Sequence, residues 1–126
     1  MNILITGAGK RIGKEIAVGF AKKGANIKLH YKKSKIDAEN TKKNISKYSK
    51  AILIKANLEK YESVKKLFND AKKKVGKIHH LINCASVFEN DDILKFNEKS
   101  WNKHLDTNAK APAILISNFA NQKFNK

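Results

Sequence analysis

Several residue types are scarce in this 126-residue sequence, and each scarcity limits the classes of protein to which the chain can belong. A single cysteine, Cys84, excludes an intrachain disulfide and fits a reducing compartment. The longest apolar run near the end, Ala111 to Ile116, is far too short to span a bilayer. The sequence begins with a strand-like segment and shows no basic and apolar leader. We therefore expect one cytoplasmic domain without a membrane segment.

Acidic residues are scarce, numbering 11 against 27 basic ones, and the formal net charge is +16. Such a charge is compatible with nucleic acid binding. However, 26 of the basic residues are lysine and one is arginine, whose planar fork is better suited to phosphates and guanine edges. The lysines are also spread over every predicted helix. We expect no specific nucleic acid partner, and a basic nucleic-acid-binding domain stays as an alternative.

Short apolar segments alternate with amphipathic ones along the chain. The pattern predicts strands at Asn2–Thr6, Asn26–Tyr31, Ala51–Ala56 and Ile78–Cys84, and helices at Arg11–Lys23, after a cap at Ser34, at Glu62–Val75 and from about Glu98. Alternating units of this kind give a parallel sheet with right-handed crossovers. The expected fold is a Rossmann-type, doubly wound α/β sheet with helices on both faces.

Apolar spacing also assigns a face to each predicted helix. The first helix would present Ile12, Ile16 and Phe20 on one side. The helix after Ser34 would present Ala38, Thr41, Ile45 and Tyr48 on its inner face. The face of the Glu62–Val75 helix would be Val64, Leu67, Phe68, Ala71 and Val75. The face of the last helix would be Trp101, Leu105, Asn108, Pro112, Leu115 and Phe119. Pro112 should kink the last helix or remove one of its backbone hydrogen bonds.

The segment TGAGKRIG, residues 6–13, joins the first strand to the first helix. Glycine lets a backbone turn tightly and approach a ligand, and a helix N-terminus attracts a phosphate. Gly7, Gly9 and Gly13 therefore predict a dinucleotide site. A tight turn that binds nothing is the structural alternative.

The end of the second strand indicates which dinucleotide binds. NAD sites usually place an acid there for the ribose 2′-hydroxyl, but this sequence has none before Asp37. It offers His30, Lys32 and Ser34 instead, with Arg11 in the glycine loop. Cations and hydroxyls suit a 2′-phosphate, so NADP(H) is favoured over NAD(H). The alternative is an ordinary basic strand end in a lysine-rich chain.

Together these residues resemble the short-chain dehydrogenase/reductase family along the whole chain. TGAGKRIG resembles the family's TGxxxGxG cofactor loop, with Arg11 at the position of the second family glycine. Asn83-Cys84-Ala85-Ser86 resembles the NNAG motif after the fourth strand. With HYKKS at 30–34, these features resemble the pteridine reductase branch, which uses NADPH.

The resemblance implies roles for individual residues. Asn108 matches the helix asparagine of the catalytic tetrad and would hold a proton-relay water, and Phe88 falls where the branch stacks an aromatic ring on its substrate. The implied cofactor-binding residues are Gly7, Gly9, Arg11, Ile12, Gly13, His30, Tyr31, Lys32, Ser34, Asn57, Leu58, Asn83, Ala85 and Ser86. Three structural alternatives stay open: Asn83 as a strand tie, Phe88 as a loop anchor and Asn108 as a buried polar residue. No metal-site spacing is present.

The family's catalytic serine and Tyr-x-x-x-Lys pair have no counterpart here. The tyrosines are Tyr31, Tyr48 and Tyr61, none of them in the matching place. We therefore expect residues 1–126 to form an incomplete NAD(P)-binding domain, with the fourth strand as an open edge. The resemblance implies a reductase of a small C=O or C=N substrate that is a homo-oligomer at full length. This chain would at best bind cofactor, and a non-catalytic NADP-binding module is the alternative.

Overall fold

The computed structural model of the chain describes residues 1–73 and 75–122. The strands are β1 (Asn2–Thr6), β2 (Asn26–Tyr31), β3 (Ala51–Lys55) and β4 (His80–Asn83). The α-helices are α1 (Arg11–Lys22), α2 (Lys35–Ser46), α3 (Tyr61–Lys72), α4 (Glu98–Leu105) and α5 (Ala111–Ala120). A 3-10 turn, Ile93–Lys95, precedes α4, and a π-type turn, Asp106–Lys110, joins α4 to α5. Lys74, in the predicted third helix, lies outside the described residues.

The four strands form one parallel sheet in the order β3-β2-β1-β4. In the centre, Ile5 of β1 lies opposite Leu29 of β2 and Ile82 of β4. Because all strands run the same way, the loops that follow their carboxyl ends meet at one edge of the sheet, where open α/β sheets bind ligands. The predicted fold class is confirmed.

The two faces of the sheet bury separate apolar layers. On one face, Ile3, Ile5, Ile27 and Leu29 belong to a cluster that includes Ile45 of α2. The other face groups residues of the strands with residues of α3 and α5: Leu4, Ile54, Val64, Leu67, Phe68 and Leu115. Successive β1 residues alternate between the layers, and a strand covered on both sides becomes a continuous apolar run. The helices on both faces, predicted from the sequence, are confirmed.

The buried face of α1 is shifted along the sequence by one position from the predicted face. Gly13, Ala17 and Ala21 point to the core, whereas Ile12 is 71% exposed and the side chains of Ile16 and Phe20 are half-buried. Small residues let the helix axis approach the sheet, and the glycine loop requires that close approach. Side-chain size, rather than hydrophobicity, decided which face turned inward.

The last helical segment is interrupted as Pro112 predicted. It divides into α4, the π-type turn and α5, with Pro112 in the first turn of α5. Proline has no N–H to donate to the carbonyl of Asn108, four residues earlier. The wide turn shifts the helical register, so Thr107, Ala111 and Leu115 are buried.

The apolar face predicted for this segment is therefore wrong at its beginning. Trp101 is 53% and Leu105 45% exposed. The tilted rings of Trp101 and Phe96 have centroids 5.9 Å apart. Across residues 1–73 and 75–122, no helix is long and apolar enough to cross a membrane.

Candidate nucleotide-binding site

The glycine loop after β1 is shaped by two glycines that packing requires. Gly7 has φ of +64°, and a Cβ there would lie 2.8 Å from Cα of Ala85. A Cβ on Gly13 would lie 2.2 Å from the carbonyl oxygen of Gly7. At Gly9 the nearest neighbour, the amide nitrogen of Ala38, is at an ordinary 3.5 Å. The fold therefore needs Gly7 and Gly13, whereas the buried Gly9 would place a Cβ at ordinary contact distance from α2.

Arg11 occupies an unusual backbone conformation at the start of α1. Its φ is +55°, in the left-handed region that glycine tolerates better, and among the described residues no other non-glycine residue has a positive φ. An L-residue there costs about 1 kcal/mol. The side chain is exposed. Lys10, the N-cap residue, provides no side-chain capping hydrogen bond, so the helix N-terminus keeps its capacity to attract an anion.

A cavity of about 280 Å³ lies between this loop and the end of β4. We call it the loop cavity; its lining residues are Gly7, Lys10, Arg11, Ile12, Gly13, Cys84, Ala85 and Ser86. Backbone of a helix N-terminus and two cationic residues line the same space. Those are the groups that bind a pyrophosphate.

Thr6 fixes the distance between the two walls of the loop cavity. Its hydroxyl oxygen accepts hydrogen bonds from the backbone N–H groups of Cys84, at 3.0 Å, and Ala85, at 3.1 Å. The side chain is buried. A single hydroxyl thus ties the end of β1 to the segment that follows β4.

His30 connects the glycine loop to the end of β3. Its Nδ1 accepts the backbone N–H of Gly7 at 3.1 Å, so its Nε2 carries the proton and donates to the carbonyl of Ala56 at 3.0 Å. The imidazole is buried, and burial lowers its pKa. With both ring nitrogens occupied inside the protein, His30 supports the loop, in a role that differs from the predicted 2′-phosphate contact.

The buried His30 predicts a pH dependence of stability. The folded pKa lies below the unfolded value of about 6.5, so the unfolded chain binds the extra proton first. The stabilisation is complete above pH 6.5 and is lost as the pH falls towards the lowered folded pKa. We expect a lower free energy of unfolding at pH 5.5 than at pH 7.5, measured by urea denaturation.

The matched controls for this prediction replace two histidines. His30→Gln should remove most of the pH dependence, whereas His80→Gln, at an exposed position of β4, should keep it. An unchanged pH profile in His30→Gln would contradict the assignment.

A second cavity, of about 410 Å³, lies beyond the ends of β2 and β3. We call it the lysine cavity; its lining residues are Lys32, Lys33, Lys55, Ala56, Asn57 and Ser63. Lys32 Nζ lies 2.6 Å from a carboxylate oxygen of Glu59. This hydrogen bond is the main cause of a lowered pKa of Glu59, which is therefore ionised at neutral pH.

The turn after β3 is held by its own side chains. Oδ1 of Asn57 accepts the backbone N–H of Glu59 at 3.0 Å, and the N–H of Asn57 donates to the hydroxyl of Ser63 at 2.8 Å. Leu58 is buried beneath the turn. Asn57, which the family resemblance implies as a cofactor-binding residue, thus already uses its Oδ1 as a hydrogen-bond acceptor within the protein.

Asn108 in the π-type turn anchors the segment after β4. Its Oδ1 accepts the N–H of Val87 and its Nδ2 donates to the carbonyl of Val87, both at 2.8 Å. Nearby, Nε2 of His104 accepts the N–H of Glu89 at 2.9 Å. The loop is fixed on both sides of Phe88, whose side chain is 85% exposed.

The residues predicted from the sequence fall into two groups in space. Arg11, Ile12, Ala85 and Ser86 line the loop cavity, whereas Lys32 and Asn57 line the lysine cavity. Ser34 is the N-cap of α2, but its side chain makes no capping hydrogen bond, contrary to the predicted cap. Tyr31 is half-buried and Asn83 exposed at their strand ends.

Sequence reasoning missed several residues that shape the site. These are Thr6, Thr41, Lys55, Glu59 and Ser63. Thr6 and Lys55 could have been found because each ends a parallel strand, the place where such sheets bind ligands. Thr41 donates to the carbonyl of Gly9 at 2.8 Å, and no local pattern indicates a contact across 32 positions. Within the described residues, no group of three or more metal-ligating side chains is placed to hold a metal ion.

Sequence comparison finds a matching family and relatives that are described as dehydrogenases or reductases. The family described as short chain dehydrogenase matches residues 1–125. A 3-oxoacyl-[acyl-carrier-protein] reductase FabG of Staphylococcus epidermidis is 32% identical over 108 residues, covering 85% of this chain and 44% of that protein. A short-chain type dehydrogenase/reductase of Picea abies is 30% identical over 123 residues, covering 90% and 45%.

Solved structures match almost the whole chain. The FolM alternative dihydrofolate reductase 1 from Brucella canis, complexed with NADP, aligns with a TM-score of 0.91 and 28% identity over 99% of this chain and 51% of its own. A putative dehydrogenase from Burkholderia cenocepacia with bound NADP aligns at 0.87 and 29%, over 93% and 46%. The chain spans about half the length of the relatives it matches.

Proposed function

Because the chain belongs to the short-chain dehydrogenase family, we propose that it supplies the NADP(H)-binding half of an oxidoreductase. The observation that carries this proposal is the glycine loop. Two of its glycines admit no Cβ, and the loop opens onto a helix N-terminus beside two cationic residues. A pyrophosphate fits that cradle. The nicotinamide would supply hydride chemistry, and the residues of this chain would bind and orient it.

The preference for NADP(H) over NAD(H) is supported by charge at the ends of β2 and β3. Lys32, Lys33 and Lys55 line one cavity there. The sequence has no Asp or Glu between the end of β2 and Asp37, where an acid would favour a free 2′-hydroxyl. The Brucella canis and Burkholderia cenocepacia structures contain NADP. In our assignment the lysine cavity receives the adenosine 2′-phosphate and the loop cavity receives the pyrophosphate. We also assign the exposed guanidinium of Arg11 to the 2′-phosphate, although its residue lines the loop cavity.

On the nicotinamide side we assign Asn83, Ala85 and Ser86 to the ribose and Asn108 to a relay water. The side-chain oxygen and nitrogen of Asn108 each already bond to Val87, so we assign the water to its backbone carbonyl, which cannot receive an N–H from Pro112. Phe88 is proposed to stack on the substrate. A pterin is the proposed substrate because the structure of the FolM alternative dihydrofolate reductase 1 aligns over 99% of the chain.

Turnover needs the serine and the Tyr-x-x-x-Lys pair that family resemblance implies and this sequence does not supply. We therefore propose that residues 1–126 act as one part of the catalytic domain and that further strands cover β4 in a working enzyme. Cofactor binding by this chain alone, without turnover, also fits the alternative of a non-catalytic NADP-binding module.

Arg11 provides the test of the proposed function. Titration calorimetry of the full chain should show NADP⁺ binding, and Arg11→Ala should weaken NADP⁺ about tenfold, equivalent to about 1.4 kcal/mol, with a smaller effect on NAD⁺. Arg11→Lys retains the positive charge at the same backbone position and should recover part of the affinity.

Two results would contradict parts of this proposal. Equal weakening of both dinucleotides by Arg11→Ala would place the guanidinium on the shared pyrophosphate and remove it from the 2′-phosphate. Absence of NADP⁺ binding, together with tight binding of a short DNA duplex that NADP⁺ does not displace, would favour the nucleic acid alternative.

A further inference from the structure

The lysine that the proposed 2′-phosphate would contact already has an anionic partner. Lys32 Nζ lies 2.6 Å from Oε2 of Glu59, and both side chains are partly exposed, at 34% and 28%. Lys32 also lines the lysine cavity together with Lys33 and Lys55. One ammonium is therefore shared between a protein carboxylate and the space assigned to a phosphate.

Glu59 is held in this position by the turn that carries it. Its backbone N–H donates to Oδ1 of Asn57, and the N–H of Lys60 donates to the carbonyl of Asn57 at 3.2 Å. The turn in turn rests on Ser63, in the first turn of α3. The backbone that carries Glu59 is therefore fixed next to the lysine cavity. Its carboxylate is bonded to Lys32, and Lys33 and Lys103 also lower its pKa through space.

We propose that Glu59 is a specificity-determining residue that competes with the 2′-phosphate of the cofactor for Lys32. This inference rests on the proposed NADP(H) function. A phosphate that reaches the Lys32 ammonium comes close to a carboxylate of the same sign, and like charges at such separations repel by about 1 kcal/mol. NADP(H) must break or share the Lys32–Glu59 pair, whereas NAD(H), which has no 2′-phosphate, leaves it intact. Glu59 thus reduces the preference for NADP(H) over NAD(H) that Lys32, Lys33 and Lys55 would otherwise give.

The discriminating variant is Glu59→Gln, which keeps the size of the side chain and removes its charge. NADP⁺ should bind about fivefold more tightly to the full-length variant chain, and NAD⁺ should change by less than about twofold. Adenosine 2′,5′-bisphosphate and AMP, which lack the nicotinamide, should show the same contrast. Calorimetry at fixed ionic strength measures all four ligands.

The matched control is Glu62→Gln, which removes an equal charge three residues further on. Glu62 is exposed and makes no ion pair to another described residue, so this variant should leave both affinities unchanged. In the Lys32→Met background, Glu59→Gln should give no gain, since the effect passes through Lys32. A thermal melt of each variant confirms that it is folded.

The outcomes separate this inference from the proposed function. If the wild-type chain binds neither dinucleotide, the proposed function fails and the inference fails with it. If the wild type binds NADP⁺ but Glu59→Gln binds it equally, only the competition is overturned. Weaker NADP⁺ binding by Glu59→Gln would also overturn it, because Glu59 would then be aiming Lys32 at the phosphate.

Discussion

Replacing Gly13 by alanine is expected to destabilise the protein by about 3 kcal/mol or more and to abolish cofactor binding. The added Cβ would lie 2.2 Å from the carbonyl oxygen of Gly7 and 2.9 Å from Cα of Ala8. Both neighbours are backbone atoms and have no alternative rotamer, so α1 must move away from the loop. Thermal unfolding followed by circular dichroism should show a midpoint lowered by roughly 10 °C or more.

The same helix offers a matched control in Gly19. A Cβ added there meets no atom within 4 Å. Because alanine favours a helix more than glycine does, Gly19→Ala should raise stability by about 0.5–1 kcal/mol. The two variants make the same chemical change nearly two helical turns apart, and opposite signs are expected. A Gly13→Ala protein with a wild-type midpoint would show that the loop can relax without loss.

The second large effect is expected from Thr6→Val, which replaces a hydroxyl by a methyl group of similar size. Two backbone N–H groups, those of Cys84 and Ala85, lose their acceptor. A donor left without a partner costs about 1–3 kcal/mol, so the free energy of unfolding should fall by about 2 kcal/mol or more. Urea denaturation gives this quantity directly.

Hydrogen exchange locates the damage. The amides of Cys84 and Ala85 should exchange faster in Thr6→Val, while amides within β2 change only with global stability. Thr6→Ser retains the acceptor and should protect both amides, although the lost methyl group lowers stability slightly. Unchanged protection in Thr6→Val would mean that another group accepts those hydrogen bonds.

The strands and their order follow from the sequence because they depend on patterns that tertiary contacts seldom override. Apolar runs such as Asn2–Thr6, alternating with helical periods, allow few topologies once crossovers must be right-handed. The glycine loop could also be predicted, since its spacing and its position between a strand and a helix each carry information.

Helix faces were predicted less well, for a physical reason. The Ile12–Ile16–Phe20 stripe is more apolar than the Gly13–Ala17–Ala21 stripe, yet the smaller residues face the sheet. Burial of apolar area favours the large residues, but the approach of α1 to the loop leaves room for small ones only. The π-type turn before Pro112 likewise changes a register that a regular helical period cannot represent.

The sequence predicted which residues form the site, but it did not predict the contacts that their side chains make within the protein. His30 belongs among the residues at the end of β2, but its ring is used between Gly7 and Ala56. Lys32 has a partner, Glu59, that is 27 positions away. Pairings across strands depend on side-chain conformations that no local pattern contains.

The position of β4 at the edge of the sheet has a consequence for how copies of the chain meet. One side of β4 pairs with β1, and its other side faces no strand of the described chain. Two such edges can join only at the short spacing of a β ladder, about 4.8 Å. Each copy carries a net charge of +16, and this repulsion extends over a screening length of about 8 Å at physiological salt. The excess of lysine therefore opposes the association of two copies through their β4 edges, and this electrostatic repulsion weakens as the ionic strength rises.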